Sequence, residues 1–571
     1  MFKPEVMKKV NLFLMREDLK KASNVLYELK LVEFFELNPE NFNKFEHEDL
    51  GEQTAYLLKL RSAISILKHF FKKKTGDVVN GPVDEVLKNK NELDSLEKEI
   101  LFLEDEIKRA KILKNLGISK EDLNDKDLTI GFVPEHKIKN VLSSSFRKFK
   151  FDGRIYFKTK NKNLNFAFKE FYLPKKYGAD NEIKLLSSKD KLAKLKAKFE
   201  KLANGNLELL QLEEVKLSKE IAVLEVRNKF SRTKNVVVLS GYVTKSSVKK
   251  LRVALEEEVM GRFEMEILEA DEKAPIKLNN TFASRFESIL KMYSLPKYGE
   301  FDPTVLMFFV FPFFFGFILG DVFYGLISLI VFTFAKRMLP KLKDFIGVLQ
   351  LSAFVSIIFG FIYGEYMGFE PAGWGLFHRM EHPETLLIIA VIFGLIHINL
   401  GLIIGFFNEL KNPKKAITDK LSWFILQGGA GFLAYGVYAS IALFNWIGGV
   451  LLAIAVILIY MGHGIVGVME VPSFFTNVMS YARLMAVGLS SVAIAILVNE
   501  YSMPLFNMGI LGIVGGILLF SIGHIFNIVL GNFEGFLHTL RLHYVEFFTK
   551  FYSGDGREFV PFGTKVHEKE D

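Results

Sequence analysis

Residues 480–491 read SYARLMAVGLSS and lie inside a long apolar run that holds one arginine, Arg483. A charged side chain at mid-membrane costs about 2.5–3.5 kcal/mol on insertion scales. Arginine cannot escape that cost by losing its proton. The nearest carboxylate, Glu470, would stand about 20 Å away along a continuous helix. Thr476, Ser480, Arg483, Val487 and Ser490 fall on roughly one helical face, with Glu470 and Asn477 close to it. A fixed cation among polar side chains inside a membrane span is the kind of group that marks an ion pathway.

The last apolar run carries a second pattern. His524, Asn527, Gly531, Glu534, His538 and Arg541 recur at intervals of 3-4-3-4-3. Intramembrane ionisable groups mark proton relays, so the stripe reads as an ion pathway. The plainer alternative is a polar seam joining two helices. Asp321, in GDVFYG, is either a hydrogen-bonding site at a broken helix or a member of the pathway. His397 reads as a satisfied core histidine. His463 and Glu470 lie toward the cytoplasmic end, and His378, Glu381 and His382 lie in a loop. No grouping of His and acids has a spacing that compels a metal site. No glycine-rich phosphate-binding motif is present, so no cofactor is expected. Energy must come from a partner or an ion gradient. Cysteine is absent, which excludes disulfides and thiolate metal sites.

These residues need membrane helices to position them. Residues 1 to about 290 are rich in Lys, Glu and Leu, whereas apolar runs of 18 or more residues begin near 304. The expected spans are 304–335, 345–364, 384–408, 420–444, 446–468, 472–499 and 505–541. The basic loops 336–343 and 411–420 belong in the cytoplasm. The N-terminal half has no signal peptide and is expected there too. An even number of crossings must then precede residue 336, so 304–335 is a helical pair broken around Gly316–Gly320. Eight spans follow, with both termini inside. A helix over 505–550 would run nearly 70 Å, so it must tilt, bend or leave the bilayer. The net charge of +8 fits basic loops, and lysines interleaved with acids do not indicate nucleic acid.

The soluble half alternates strands and helices. KVNLFLM (9–15), a helix from Asp18 to Leu31 and a strand at Val32–Leu37 form one strand–helix–strand pattern. It returns in NVVVLSGYV (235–243), a helix over 246–259 and RFEMEIL (262–268). Between them, Leu93, Leu96, Ile100, Leu103, Ile107 and Ala110 make an a/d seam, which Leu192, Leu195, Phe199 and Leu202 repeat. The expected fold is therefore cytoplasmic α/β lobes joined by a long antiparallel coiled-coil hairpin, followed by an all-α polytopic membrane domain with about eight spans and strongly tilted last two helices. The soluble domain covers 1–290, with lobes at about 1–80, 118–180 and 230–270 and coiled-coil arms at about 84–116 and 185–226. The membrane domain covers 291–571. Such a hairpin is a strut.

VPSFFTNVMSYARLMAVGLSSVAIA (471–495) closely resembles the signature span of the a/I subunit of rotary V-type and archaeal A-type ATPases. FLHTLRLHYVEFFTKFYSGDGREFVPF (536–562) resembles that family's C-terminal signature, and FPFFFGFILGDVFYG (311–325) its first membrane signature. The three occur in the family's order. The resemblance implies a membrane stator facing a rotating ring of proteolipids. It matches Arg483 to the family's essential arginine, Arg541 to a second arginine, His538 to a polar partner and Glu470 to an acid before the arginine. The chain departs from the pattern at Ser491, where many members carry histidine, and at Glu534, the nearest acid to the last-turn residues. The implied partners are the proteolipid ring, peripheral-stalk subunits of the E/G type, the ring adaptor of the central stalk and, indirectly, an ATPase head. The implied location is a prokaryotic cell membrane, and the chain itself would not catalyse ATP chemistry.

Two other readings compete with it. A stand-alone ion-coupled transporter would show internal repeats and has no use for a strut. A structural membrane anchor would keep the coiled coil but has no reason to hold Arg483 and Arg541.

Overall fold

The computed structural model describes residues 3–36, 43–44, 50–72, 81–118, 129–134, 147–152, 154–159, 168–171, 180–227, 229–233, 235–279, 282–371, 375–410 and 412–564. The chain divides into two compact units, residues 1–43 with 230–571, and residues 44–229. That division does not follow the compositional boundary near 290, because the first strand pairs with strands far along the chain.

In strand Met7–Met15, Val10, Leu12 and Leu14 alternate toward the buried side. The strand pairs antiparallel with Val236–Thr244 on one edge, Leu12 opposite Leu239, and with Phe263–Glu269 on the other, Leu12 opposite Met265. Strand Val32–Phe35 pairs with the far edge of Val236–Thr244. Helices Leu19–Leu29 and Val248–Val259 connect the strands of each repeat and bury Ala22 and Leu26, and Leu251 and Leu255. The sequence separates these repeats into two lobes. They interleave in one sheet instead, so each completes the other's hydrogen bonding.

The C-terminal tail is laced to this sheet. Ile276 N–H donates to Arg557 O (2.7 Å), Phe559 N–H to Ile276 O (2.9 Å) and Phe562 N–H to Val32 O (2.7 Å). Arg557 pairs with Glu33 at 2.5 Å. Two glycines allow the approach. A Cβ on Gly556 would lie 1.8 Å from Pro296 O, and one on Gly563, whose φ is +87°, would lie 2.0 Å from Tyr27 O. Nearby, burial raises the Tyr242 phenol well above its ordinary value, so it keeps the proton it donates to Asp271.

In the second unit, helices Pro82–Asn115 and Asp180–Arg227 lie along each other. Lys184 meets Glu99 (3.6 Å), Lys189 meets Glu104 (2.6 Å) and Lys198 meets Glu85 (2.6 Å), so the two run antiparallel. Leu93 and Leu96 pack in one core with Leu195, Phe199 and Leu202. A third helix, Gly51–Lys68, adds Leu60, Ala63, Ile64 and Leu67 to that core. The sequence leaves it in the first lobe. Its Arg61 pairs with Glu214 (3.1 Å) on the long helix. A small sheet follows in the order Arg147–Phe151, Arg154–Thr159, Thr129–Pro134, Lys169–Glu170.

The apolar half is helical: α1 (Thr304–Leu319), α2 (Val322–Met338), α3 (Lys343–Tyr363), α4 (Pro383–Asn408), α5 (Ser422–Tyr438), α6 (Ala442–Met469), α7 (Val471–Met479), α8 (Ala482–Ser502) and α9 (Gly509–Arg541). Among the described residues, five stretches are long and apolar enough to cross a membrane: Pro340–Tyr363, Pro383–Asn408, Ala442–Met469, Val471–Asn507 and Gly509–Lys550. The chain breaks between α1 and α2 at Gly320–Asp321, where Asp321 caps α2 by accepting from Tyr324 N–H (2.9 Å). The last stretch, 42 residues, is about 63 Å long and passes from α9 through a π-helical turn, Leu542–Phe547. Phenylalanine fills the core between helices, with Phe314 and Phe317 in one cluster and Phe311, Phe315, Phe547 and Phe548 in another.

Candidate functional site

Arg483 stands in the first turn of α8, just after the turn Ser480–Tyr481 that separates it from α7. Its N–H donates to Ser480 O (3.3 Å). Its side chain is 19% exposed, and Nη1 lies 4.0 Å from Oε1 of Glu546, which is 1% exposed. Arg541 and Glu546 both act electrostatically on Arg483, and both arginines act on His538. The structure thus brings Arg483, Arg541 and His538 together. Ser480 lies beside Glu546, while its hydroxyl donates to Thr476 O (2.9 Å).

Local geometry explains the placing of Glu546. In an α-helix, the stripe through His538 and Arg541 would continue near Val545. The π-helical turn Leu542–Phe547 adds a residue to that turn. Glu546, five positions after Arg541, comes to the side that Arg541 occupies. Behind it lies a buried imidazole pair. His397 Nδ1 and the Tyr481 hydroxyl share a hydrogen bond of 2.8 Å, and the His397 ring stacks on Phe547 at 4.1 Å. The His397 and His543 ring centroids are 5.0 Å apart. His543 Nδ1 faces Thr539 O at 2.9 Å, and a carbonyl only accepts, so Nδ1 carries the proton. Several buried polar atoms here have no hydrogen-bond partner: Arg483 Nη1, Glu546 Oε2, His397 Nε2, His543 Nε2 and Thr539 Oγ1.

The stripe on α9 divides in two. Its first part is buried in a closed network. The Tyr324 hydroxyl meets His524 Nδ1 (2.7 Å) and accepts from Asn527 Nδ2 (3.0 Å). His524 Nε2 meets Asn499 Oδ1 (3.0 Å). Asn527 donates to Ser491 O (2.8 Å), and the Ser491 hydroxyl donates to Asn527 Oδ1 (3.3 Å). Asn499 donates to Met367 O (2.7 Å), and Met367 N–H donates to Asp321 (2.6 Å). At Gly531 a Cβ would meet Leu319 at 2.8 Å, so the glycine lets α1 approach. The second part, Glu534, His538 and Arg541, is more open to the surface.

Other residues singled out in the sequence lie elsewhere. Glu470 is exposed at the start of α7, where Lys550 feels its charge. Asn477 is half-buried, and Ser490 is exposed with its hydroxyl turned back to Val487 O (2.8 Å). His463, on α6, meets Asp419 at 3.3 Å. His378 lies 3.8 Å from Glu370 in the loop before α4.

Two groups escaped the sequence reading. Glu546 stands out of helical register, and only a π turn brings it to the arginines. Arg379, in the same loop, is 1% exposed and pairs with Glu365. Its guanidinium also donates to Ile318 O (2.9 Å) and Gly320 O (3.3 Å), the free carbonyls at the end of α1. No spacing rule predicts such a loop-to-helix clamp.

Residues 178–374 and 470–564 match the family model described as the V-type ATPase 116kDa subunit family. Across 99% of its length the chain is 29% identical to an A-type ATP synthase subunit I of Archaeoglobus fulgidus, also covered over 99%. It is 33% identical to the subunit I of Methanothermobacter thermautotrophicus over 69% of this chain and 63% of that one. A bacterial relative, the V-type ATP synthase subunit I of Borreliella burgdorferi, is 25% identical over 44% of this chain and 48% of its own. The second matched stretch holds Arg483, His538, Arg541 and Glu546 together. The chain is a membrane protein of the V-type ATPase 116kDa subunit family and a subunit of a rotary ATPase.

Proposed function

We propose that this subunit is the stator across which the rotary complex moves protons or sodium ions, with Arg483 as the fixed charge facing a rotating ring of proteolipids. What supports the reading is a partly exposed guanidinium within a stretch long and apolar enough to cross a membrane, beside Arg541 and His538. Each ring subunit carries a carboxylate that is neutral against lipid. Facing Arg483 it favours its ionised form, and its ion leaves into one half-channel. After the ring turns past, it reloads from the other. A guanidinium does not titrate, so protons cannot slip between the half-channels. Each charge crossing is worth roughly 2.3 kcal/mol per 100 mV.

In this reading the apolar half makes eight crossings, and both termini are cytoplasmic. Glu534, His538 and the Glu470–Asn477 end line the half-channels. The long helices of residues 44–229 offer a surface for E/G-type peripheral-stalk subunits, and the ring adaptor of the central stalk is a neighbour. Arg483→Lys tests the reading, because lysine is a point charge that gives up its proton in a buried site. The complex should assemble and hydrolyse ATP without pumping. Near-normal pumping would refute the reading.

A further inference from the structure

We infer that Glu546 is a positioning residue: it is the resident counter-charge of Arg483, holding the guanidinium between visits of the ring carboxylates and setting how tightly each visitor is gripped. The inference rests on the stator reading above.

The geometry points to a contact that can be made and broken. Glu546 is 1% exposed, yet 4.0 Å separates it from Arg483 Nη1. Nη1 of the arginine and Oε2 of the glutamate both lack a hydrogen-bond partner. A tight, static ion pair would satisfy both atoms. A lone guanidinium buried in the bilayer would be costly, and a partner in the same chain offsets that cost whenever no visitor is present. Nη1 is turned inward toward Glu546, while the Arg483 side chain as a whole keeps 19% of its surface open for a visitor.

Charge gives the pairing its consequence. Arg483 and Arg541 act on each other and on Glu546, whose negative charge offsets part of their positive field. The other groups facing Glu546 are Ser480, Tyr481 and Lys550, with His538 acting through the arginines and the His397–His543 pair behind Tyr481. No other carboxylate acts on Arg483 among the described residues. Without Glu546 the positive field grows, the ionised visitor is held harder, and it reloads its proton or sodium ion only at a higher ion concentration.

The test is ATP-driven pumping by the whole complex in vesicles, measured against the concentration of the transported ion. For Glu546→Gln the half-saturating ion concentration should rise roughly tenfold, the size of effect a neighbouring charge has on a carboxylate. For Glu546→Asp, which keeps the charge, it should stay near that of the parent protein even if the maximal rate falls. A merely structural role would lower the rate equally at every ion concentration, and that result in Glu546→Gln overturns the inference. Should Glu546→Gln fail to assemble, Glu546→Met, which also removes the charge at similar volume, decides by the same measurement. A raised half-saturating concentration supports the inference, and an unshifted curve or failed assembly overturns it. Arg483→Lys, run in parallel, separates the two ideas. Pumping by that variant sinks the stator reading, whereas an unshifted Glu546→Gln beside a non-pumping Arg483→Lys sinks only the role of Glu546.

Discussion

Arg483 carries a charge within a stretch apolar enough to cross a membrane, where a charge is costly, and the residues around it bear on that cost. Arg541 adds to the positive field, Glu546 offsets it, and the buried histidines stand behind. Arg483, His538 and Arg541 are legible in the sequence because any ionisable group stands out in an apolar run. Glu546 is not, since the π turn shifts the helical register just where the apolar run ends. His524 and Asn527 belong to the stripe read as an ion pathway, but here they close a network with Ser491 in which each finds partners. Tyr324→Phe separates the two roles. Removing the hydroxyl leaves His524 Nδ1 without its partner and should cost about 1–3 kcal/mol. A seam predicts a lower melting temperature of the purified complex with transport per assembled complex retained. Lost transport at an unchanged melting temperature would return these residues to the pathway.

Individual elements were legible where local periodicity sets them. The strands around Val10–Leu14 and Val237–Val243 and the a/d helices follow from alternation and heptads. Strand pairing did not follow, because nothing in a local pattern says that Met7–Met15 sits between Val236–Thr244 and Phe263–Glu269. Helix Gly51–Lys68 was hidden for the same reason, its partners lying far along the chain. The C-terminal signature gains a physical meaning at this scale. Its Gly556 and Gly563 allow the tail to reach Pro296 and Tyr27, and Arg557 ties it to the sheet through Glu33. Gly563→Ala places a side chain where φ is +87° and backbone stands in the way. The tail should detach, seen as faster proteolysis after residue 555 and a lower melting temperature. Gly449→Ala, on α6 with open space around it, should change neither.

Across the whole molecule, one chain combines a helical unit rich in surface ion pairs, a sheet laced to the C-terminal tail, and an apolar helical half that carries the arginines. If residues 44–229 dock the peripheral stalk, deleting 84–226 should leave the membrane half able to hold the proteolipid ring but unable to retain stalk subunits on purification. Retained stalk subunits would refute docking there. The most direct test of the stator account uses the cysteine-free sequence. A single cysteine replaces Ser490, exposed about two turns beyond Arg483 on the same face of α8, and is paired with cysteines placed along the ring subunit. The account predicts that a disulfide forms between the two, stops ATP-driven rotation, and releases it on reduction. Cross-linking from buried Leu484 instead, with none from position 490, would contradict it.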